Sequence, residues 1–112
     1  MENIVVTGMG IKAAGIANNE QFLEVLKNGT CHLSVLKSVQ QSESKIVAGV
    51  VDEAFATDEF EAYKRYPRAV KMAIAAAKEA IEMANITNYP SHKIGIVLGT
   101  AAGAMKEIAE YA

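Results

Sequence analysis

Few side chains in this 112-residue sequence could do covalent or acid–base chemistry. There is one cysteine, Cys31, followed directly by His32, and a second histidine stands far away at His92. A thiol becomes a useful nucleophile when a base can reach its proton and a third group orients that base. Sequence neighbours are poor partners for this, and no acidic residue stands near the pair. Cys31 therefore reads as a small, partly buried residue after a helix. His32 and His92 read as solvated loop positions. One cysteine and two distant histidines do not make a structural zinc site within one chain. No metal and no cofactor is expected.

Two glycine clusters are the other chemical signals. Gly8-x-Gly10 with Gly15 follows the β-branched run Ile4-Val5-Val6. Glycines after a strand can let backbone N–H groups approach a pyrophosphate at a helix N-terminus. The spacing is wrong for that use, because the third glycine of a dinucleotide loop should come three residues after Gly10. The next helix also starts late, and no second strand ends in an acidic residue about 20 positions on. Tight turning and close packing account for these glycines better. The second cluster, Gly99-Thr100-Ala101-Ala102-Gly103, lacks the Gly-Lys-Ser/Thr ending of a phosphate-binding loop. It follows a predicted strand, and the carboxyl ends of strands are where α/β sheets place their sites. Thr100 is thus a candidate to line a substrate site. Tyr63, Lys64, Arg65, Tyr66 and Arg68 form a basic and aromatic cluster, which reads as the solvated start of a helix.

The elements that position these residues follow from periodicity. Residues 4–6 form a short, continuous apolar run, the signature of a buried strand. Asn18 and Asn19 offer N-caps to a short amphipathic helix, with Phe22, Val25 and Leu26 as its apolar stripe. Asn28-Gly29 closes that helix. Leu33, Val35 and Leu36 suggest a short strand, and residues 45–51 a better one. Residues 52–61 are acidic and loop-like. The longest element is a helix over about 67–84, where Pro67 suits a first turn. Its charged residues Arg68, Lys71, Lys78 and Glu82 mark one solvated line, and Ala75 falls on it. Nearly all the rest is Ala, Val, Ile or Met, so the helix should be largely buried with contacts on more than one side. Asn85 and Asn88-Tyr89-Pro90 end it. Residues 94–98 predict another buried strand, and residues 106–112 a last helix. That helix has no C-cap glycine, and Glu107 and Glu110 stand where positive charge is preferred, which suggests a truncated chain.

Bulk properties restrict the function classes. A hydrophobic fraction of 51% suffices for a core, so disorder is not expected. A net charge of −2 with scattered basic residues gives no reason to bind nucleic acid or an anionic membrane. The longest uncharged stretch, 94–105, is short for a membrane helix and holds three glycines. A single cysteine suits a reducing cytoplasm.

Taken together, the segments resemble the N-terminal part of the β-ketoacyl-(acyl-carrier-protein) synthase family, in the thiolase superfamily. Val5-Val6-Thr7-Gly8-Met9-Gly10-Ile11 is similar to its first strand and turn. Residues 10–29 align with its first loop and helix without a gap, with Phe22, Glu24, Leu26 and Asn28-Gly29 matching. Ile46-Val47-Ala48-Gly49-Val50-Val51 resembles the next well-defined strand, and Ala76-Ala77-Lys78-Glu79-Ala80 lies in the long alanine-rich helix. Ile94-Gly95-Ile96-Val97-Leu98-Gly99-Thr100 with Gly103 resembles the next strand and glycine loop. The order and spacing of these five blocks are more specific than any one of them. Departures are also present. Ala13-Ala14-Gly15-Ile16 replaces a Ser-Pro-Leu-Gly turn, Cys31-His32-Leu33 replaces Ser-Gly-Ile, and Pro67 stands where an aspartate is common.

The resemblance implies a single partial domain over residues 1–112. It implies an α/β, thiolase-like fold in which a mixed sheet packs on a buried alanine-rich helix. It implies an acyltransferase parent in fatty-acid or polyketide synthesis, acting on acyl thioesters with acyl carrier protein and forming a homo-oligomer. The family's nucleophilic cysteine and two histidines lie downstream of the Gly-Thr loop. None transfers to Cys31, His32 or His92, so the chain alone is expected to be inactive. Two alternatives stand beside this: a non-catalytic ketosynthase-like partner or interaction module, and a nucleotide-binding α/β domain.

Overall fold

The computed structural model of the chain describes residues 3–36, 45–51, 65–101, 103 and 105–111. The acidic stretch 52–61, and Tyr63 and Lys64 of the basic cluster, lie outside these. The elements run α1 (Asn19–Asn28), β1 (Leu33–Val35), β2 (Val47–Gly49), α2 (Arg68–Ala84) and α3 (Met105–Tyr111), with a 3₁₀ turn at Ser91–Lys93 between the last two helices.

Helix α1 starts and stops where its sequence requires. The extended Asn18 accepts the Gln21 N–H on its side-chain Oδ1 at 2.9 Å. Gln21 returns the contact, its Oε1 accepting the Ala17 N–H at 2.8 Å. This reciprocal pair satisfies donors that a helix start would otherwise leave open. Gly29 ends the helix in the left-handed conformation, φ 61°. Of the expected apolar stripe, Phe22 and Val25 are half-buried, but Leu26 is 61% exposed.

Strands β1 and β2 pair antiparallel, with Leu33 opposite Gly49, Ser34 opposite Ala48 and Val35 opposite Val47. The ladder extends through Leu36 N–H to Ile46 O at 2.9 Å. The hairpin leans on a second tight turn. Ala13 and Ile16 exchange both backbone hydrogen bonds at 3.0 Å around Ala14 and Gly15, and Gly15 sits at φ 67°. A Cβ added to Gly49 would come within 2.9 Å of Ala14 Cβ, so glycine lets strand and turn meet.

Helix α2 spans the expected residues, with Pro67 before its first turn and a left-handed Asn85 after its last. Its burial departs from expectation in two ways. Ala75, placed on the solvated line by its charged neighbours, is the one buried residue among those described, at 8% exposure. It lies on the same arc as Met72, Ala76 and Glu79, which are half-buried as well. The helix is also covered mainly on one side. At 100° per residue, Ala69, Met72, Ala75, Ala76, Glu79 and Ala80 fall within one arc and are half-buried or better. On the other side Val70, Ala73, Ala77 and Ile81 are exposed, and Ala84 among them is half-buried against Gly8. The wide apolar arc is real, but one half of it has no cover among the described residues.

The two expected buried strands at 4–6 and 94–98 are likewise corrected. Neither joins a sheet among the described residues. Ile4, Val6, Ile96 and Val97 are 90–100% exposed. A β-branched run favours a strand but does not make one, because a strand is stabilised by its neighbours' ladder and side chains. Of the expected mixed sheet, the described residues contain the two-stranded antiparallel hairpin.

Both of these segments nonetheless run along α2. Gly8 lies against Ala80 and Ala84, and Gly10 against Ala76 and Ala80, so the first segment runs opposite to the helix. Gly103 lies against Ala69 in the first turn of α2, so residues 86–103 return over the helix length. Residues 86–93 are taken up by turns.

Candidate functional site

The polar centre of the described structure is Glu79, the one charged residue on the covered arc of α2 that is itself half-buried. Its carboxylate takes three donors from the segment that leads into α1. Oε1 accepts the Asn19 N–H at 2.6 Å, and Oε2 accepts the Lys12 ammonium at 3.2 Å and the Ile11 N–H at 3.4 Å. Lys12 and Glu79 have side chains 10% and 22% exposed, so the ion pair is largely shielded from water. Partial burial alone would raise the Glu79 pKa. The Asn19 N–H, the Lys12 ammonium and the Ile11 N–H together outweigh it and hold the carboxyl below its ordinary value of 4.5.

Neighbouring contacts complete the clamp. Lys12 Nζ also donates to Ala17 O, and Asn19 Nδ2 donates to Met9 O at 2.6 Å and reaches Met83 Sδ at 3.8 Å. Asn19 thus ties the glycine segment, the start of α1 and the end of α2 together. At the other end of α2, the Arg68 guanidinium donates to Val51 O, joining the helix to the strand end.

A cleft of about 230 Å³ opens beside this clamp, lined by Lys12, Ala13, Gly15, Ile16, Ala17, Gln21 and Val51. Its polar groups are already committed. Lys12 is held by Ala17 O and Glu79, and the Gln21 carbonyl by Ala17 N–H. Among the described residues no nucleophile and no acid–base pair lines it.

The glycine segment is occupied in a way that decides its role. A Cβ on Gly10 would stand 2.8 Å from the Ala76 carbonyl carbon and 3.1 Å from Ala80 N. A Cβ on Gly8 would stand 2.9 Å from Ala84 N and 3.0 Å from Ala84 Cβ. The backbone of α2 fills the space above both glycines, where a pyrophosphate would have to lie.

The other sequence candidates do not converge. Thr100 is exposed, with its Oγ1 beside Gly103 near Ala69, away from the cleft. Cys31 is exposed, not partly buried as expected, since the hairpin that follows α1 leaves it uncovered. The His32 ring lies against Gly15. His92 is exposed in the 3₁₀ turn, and Arg65 and Tyr66 precede α2 in the open. Among the described residues no three His, Cys, Asp or Glu side chains gather as metal ligands, and no helix is long and apolar enough to cross a membrane.

The comparison with known families decides what this scaffold belongs to. The family model for the N-terminal domain of β-ketoacyl synthases matches residues 1–112. The chain belongs to the β-ketoacyl synthase family. No curated protein and no solved structure matches it. β-Ketoacyl synthases are transferases of fatty-acid-type synthesis that work with acyl carrier protein and acyl thioesters, and their fold is thiolase-like α/β. Sequence reasoning missed the two residues that carry most of the polar contacts, Glu79 and Lys12. A lone carboxylate inside the apolar arc of an alanine-rich helix is the signal that could have found Glu79.

Proposed function

We propose that this chain supplies the N-terminal framework of a decarboxylating β-ketoacyl synthase and carries none of its covalent chemistry. The observation that carries the reading is the family match over residues 1–112. The packing of the glycine segment on α2 supports it, because the family's most visible N-terminal motif is consumed by framework contacts.

In the reaction proposed for the parent enzyme, a cysteine thiolate attacks the carbonyl of an acyl thioester and releases the carrier thiol. Two histidines then promote loss of carbon dioxide from a malonyl thioester. The resulting carbanion attacks the enzyme-bound acyl carbonyl and expels the cysteine thiolate. Such a site needs an activated thiol and donors aimed at a developing oxyanion. Cys31 does not fit that role, since it is exposed and the adjacent His32 ring lies on Gly15. The single cysteine also agrees with a cytoplasmic location.

The test is a condensation assay of the 112-residue chain with acyl- and malonyl-carrier-protein thioesters, paired with the Cys31→Ser variant. No β-ketoacyl product is expected from either. Turnover that is lost in Cys31→Ser would make Cys31 the nucleophile and overturn the reading. A second reading, a non-catalytic ketosynthase-like partner, is favoured by the replaced turn at residues 13–16 and by Pro67. Binding of the chain to a complete ketosynthase, with a change in its turnover, would select that reading.

A further inference from the structure

We propose that Asn28–Gly29, at the end of α1, is a modification site: the Asn28 amide cyclises on the Gly29 nitrogen and opens to isoaspartate, at a rate set by opening of the helix cap. Ring closure needs the next residue's nitrogen to reach the side-chain carbonyl carbon, and a Cβ on that residue crowds the approach. Asn28 is the asparagine that precedes a glycine; Asn3 and Asn85 precede isoleucine, Asn18 asparagine, Asn19 glutamate and Asn88 tyrosine. Asn28, Gly29 and Thr30 are all exposed, and no described atom lies within 4 Å of the place a Cβ on Gly29 would take. Asn18 and Asn19 are instead half-buried, and their side chains are engaged with Gln21 N–H and Met9 O. The cap itself calls for the glycine, because φ at residue 29 is 61°, where other side chains are costly. The residue that ends α1 is thus the one that leaves Asn28 open to attack.

The chemistry needs water and a base and changes no oxidation state. A solvent base takes the Gly29 N–H proton, the nitrogen bonds to Asn28 Cγ, the Cγ–Nδ2 bond breaks and ammonia leaves with a proton. Water then opens the cyclic imide. Attack at the Asn28 main-chain carbonyl leaves Gly29 bonded to Cγ and frees the old main-chain carbonyl as a carboxylate. The folded helix opposes the first step. Gly29 N–H is donated to Val25 O, and Thr30 N–H reaches the same oxygen at 3.1 Å. Both bonds must break, and Asn28 must leave its helical ψ, before the nitrogen can turn on Cγ. Helix ends open at little cost, so the gate is low. Once formed, isoaspartate carries the chain through one extra carbon and sets a negative charge at a helix C-terminus, where it is unfavourable. The cap does not re-form as before.

The test incubates the 112-residue chain in mildly alkaline buffer beside a free peptide of residues 24–33. Peptide mapping by mass spectrometry follows each asparagine, and methylation by an isoaspartyl methyltransferase with labelled S-adenosylmethionine counts isoaspartate. Asn28 should convert ahead of every other asparagine. Its rate should be about tenfold below that of the peptide, the protection that two backbone hydrogen bonds of ordinary strength give. Hydrogen exchange at the Gly29 amide reads the same opening, so its protection should match the slowing of conversion. Asn28→Gln should remove the methylation, since the longer side chain closes a six-membered ring far more slowly. Conversion at another asparagine before Asn28, methylation that persists in Asn28→Gln, or a chain as fast as the peptide would each overturn the proposal. So would an Asn28 amide that outlasts that of the peptide by more than about a hundredfold, beyond what the two cap bonds supply.

Discussion

Replacing Glu79 should weaken the docking of α1 on α2 in proportion to the donors left without an acceptor. The bond from Asn19 N–H, at 2.6 Å, is made to a charged oxygen and is worth about 1.5–3 kcal/mol. The Lys12 ion pair at 3.2 Å adds about 0–1 kcal/mol. The Ile11 contact at 3.4 Å is too long to add much. Glu79→Ala removes all of these and should cost about 2–4 kcal/mol. Glu79→Gln keeps a carbonyl for Asn19 N–H, turns a charged bond into a neutral one and loses the ion pair. It should cost about 1–2 kcal/mol. Urea unfolding followed by far-UV circular dichroism gives the global cost, and hydrogen exchange at the Asn19 amide gives the local one.

The pH dependence separates this account from a loss of packing. The folded-state pKa of Glu79 lies below its ordinary value of 4.5. Such a group contributes stability above the unfolded pKa, and that contribution is lost as pH falls through the folded pKa. The gap between the parent chain and Glu79→Gln should therefore be full at neutral pH and close as pH falls through the lowered folded-state pKa. A glutamine variant as stable as the parent at neutral pH would refute the reasoning. So would a gap that persists unchanged in acid.

Two further predictions use the glycines. Gly10→Ala forces α2 away from the first segment and should cost about 1–3 kcal/mol by thermal unfolding, whereas Gly95→Ala meets nothing within 4 Å and should stay within about 0.5 kcal/mol of the parent. Gly15→Ala should cost at least about 1–2 kcal/mol through its positive φ alone, with a further loss from the His32 ring, so a double-mutant cycle with His32→Ala should recover part of the cost and no more.

Local signals carried the helices well. Asn18, Gly29, Pro67 and Asn85 bound α1 and α2 because capping is decided by the residues at the cap. The hairpin of β1 and β2 was legible as two separate strands, but its antiparallel register was not, since pairing depends on partners remote in sequence. The same limit explains the apolar runs at 4–6 and 94–98. Their composition states what they would do beside a neighbouring strand, and no such neighbour is among the described residues. Ala75 misled for a related reason. Four charges on one helix line imply water, yet Ala75 stands at the edge of that line beside Glu79, which the segment leading into α1 covers. The Glu79 clamp was hidden because a single carboxylate has no pattern.

The Gly8-x-Gly10 spacing and the alanines of α2 are two halves of one fit. An extended chain advances about 6.6 Å in two residues, and a helix about 6.0 Å in four. Glycines two apart on the first segment therefore stay in step with alanines four apart on the helix. The contacts follow that rule, with Gly8 on Ala80 and Ala84 and Gly10 on Ala76 and Ala80. A third glycine three residues after Gly10, as a dinucleotide loop requires, would fall out of step with the helix. Gly15 instead serves the turn around residues 13–16, where φ is positive. The departure from cofactor spacing is thus what helix packing demands. Any phosphate ligand over these glycines would have to displace α2, and with it the Glu79 clamp that holds α1.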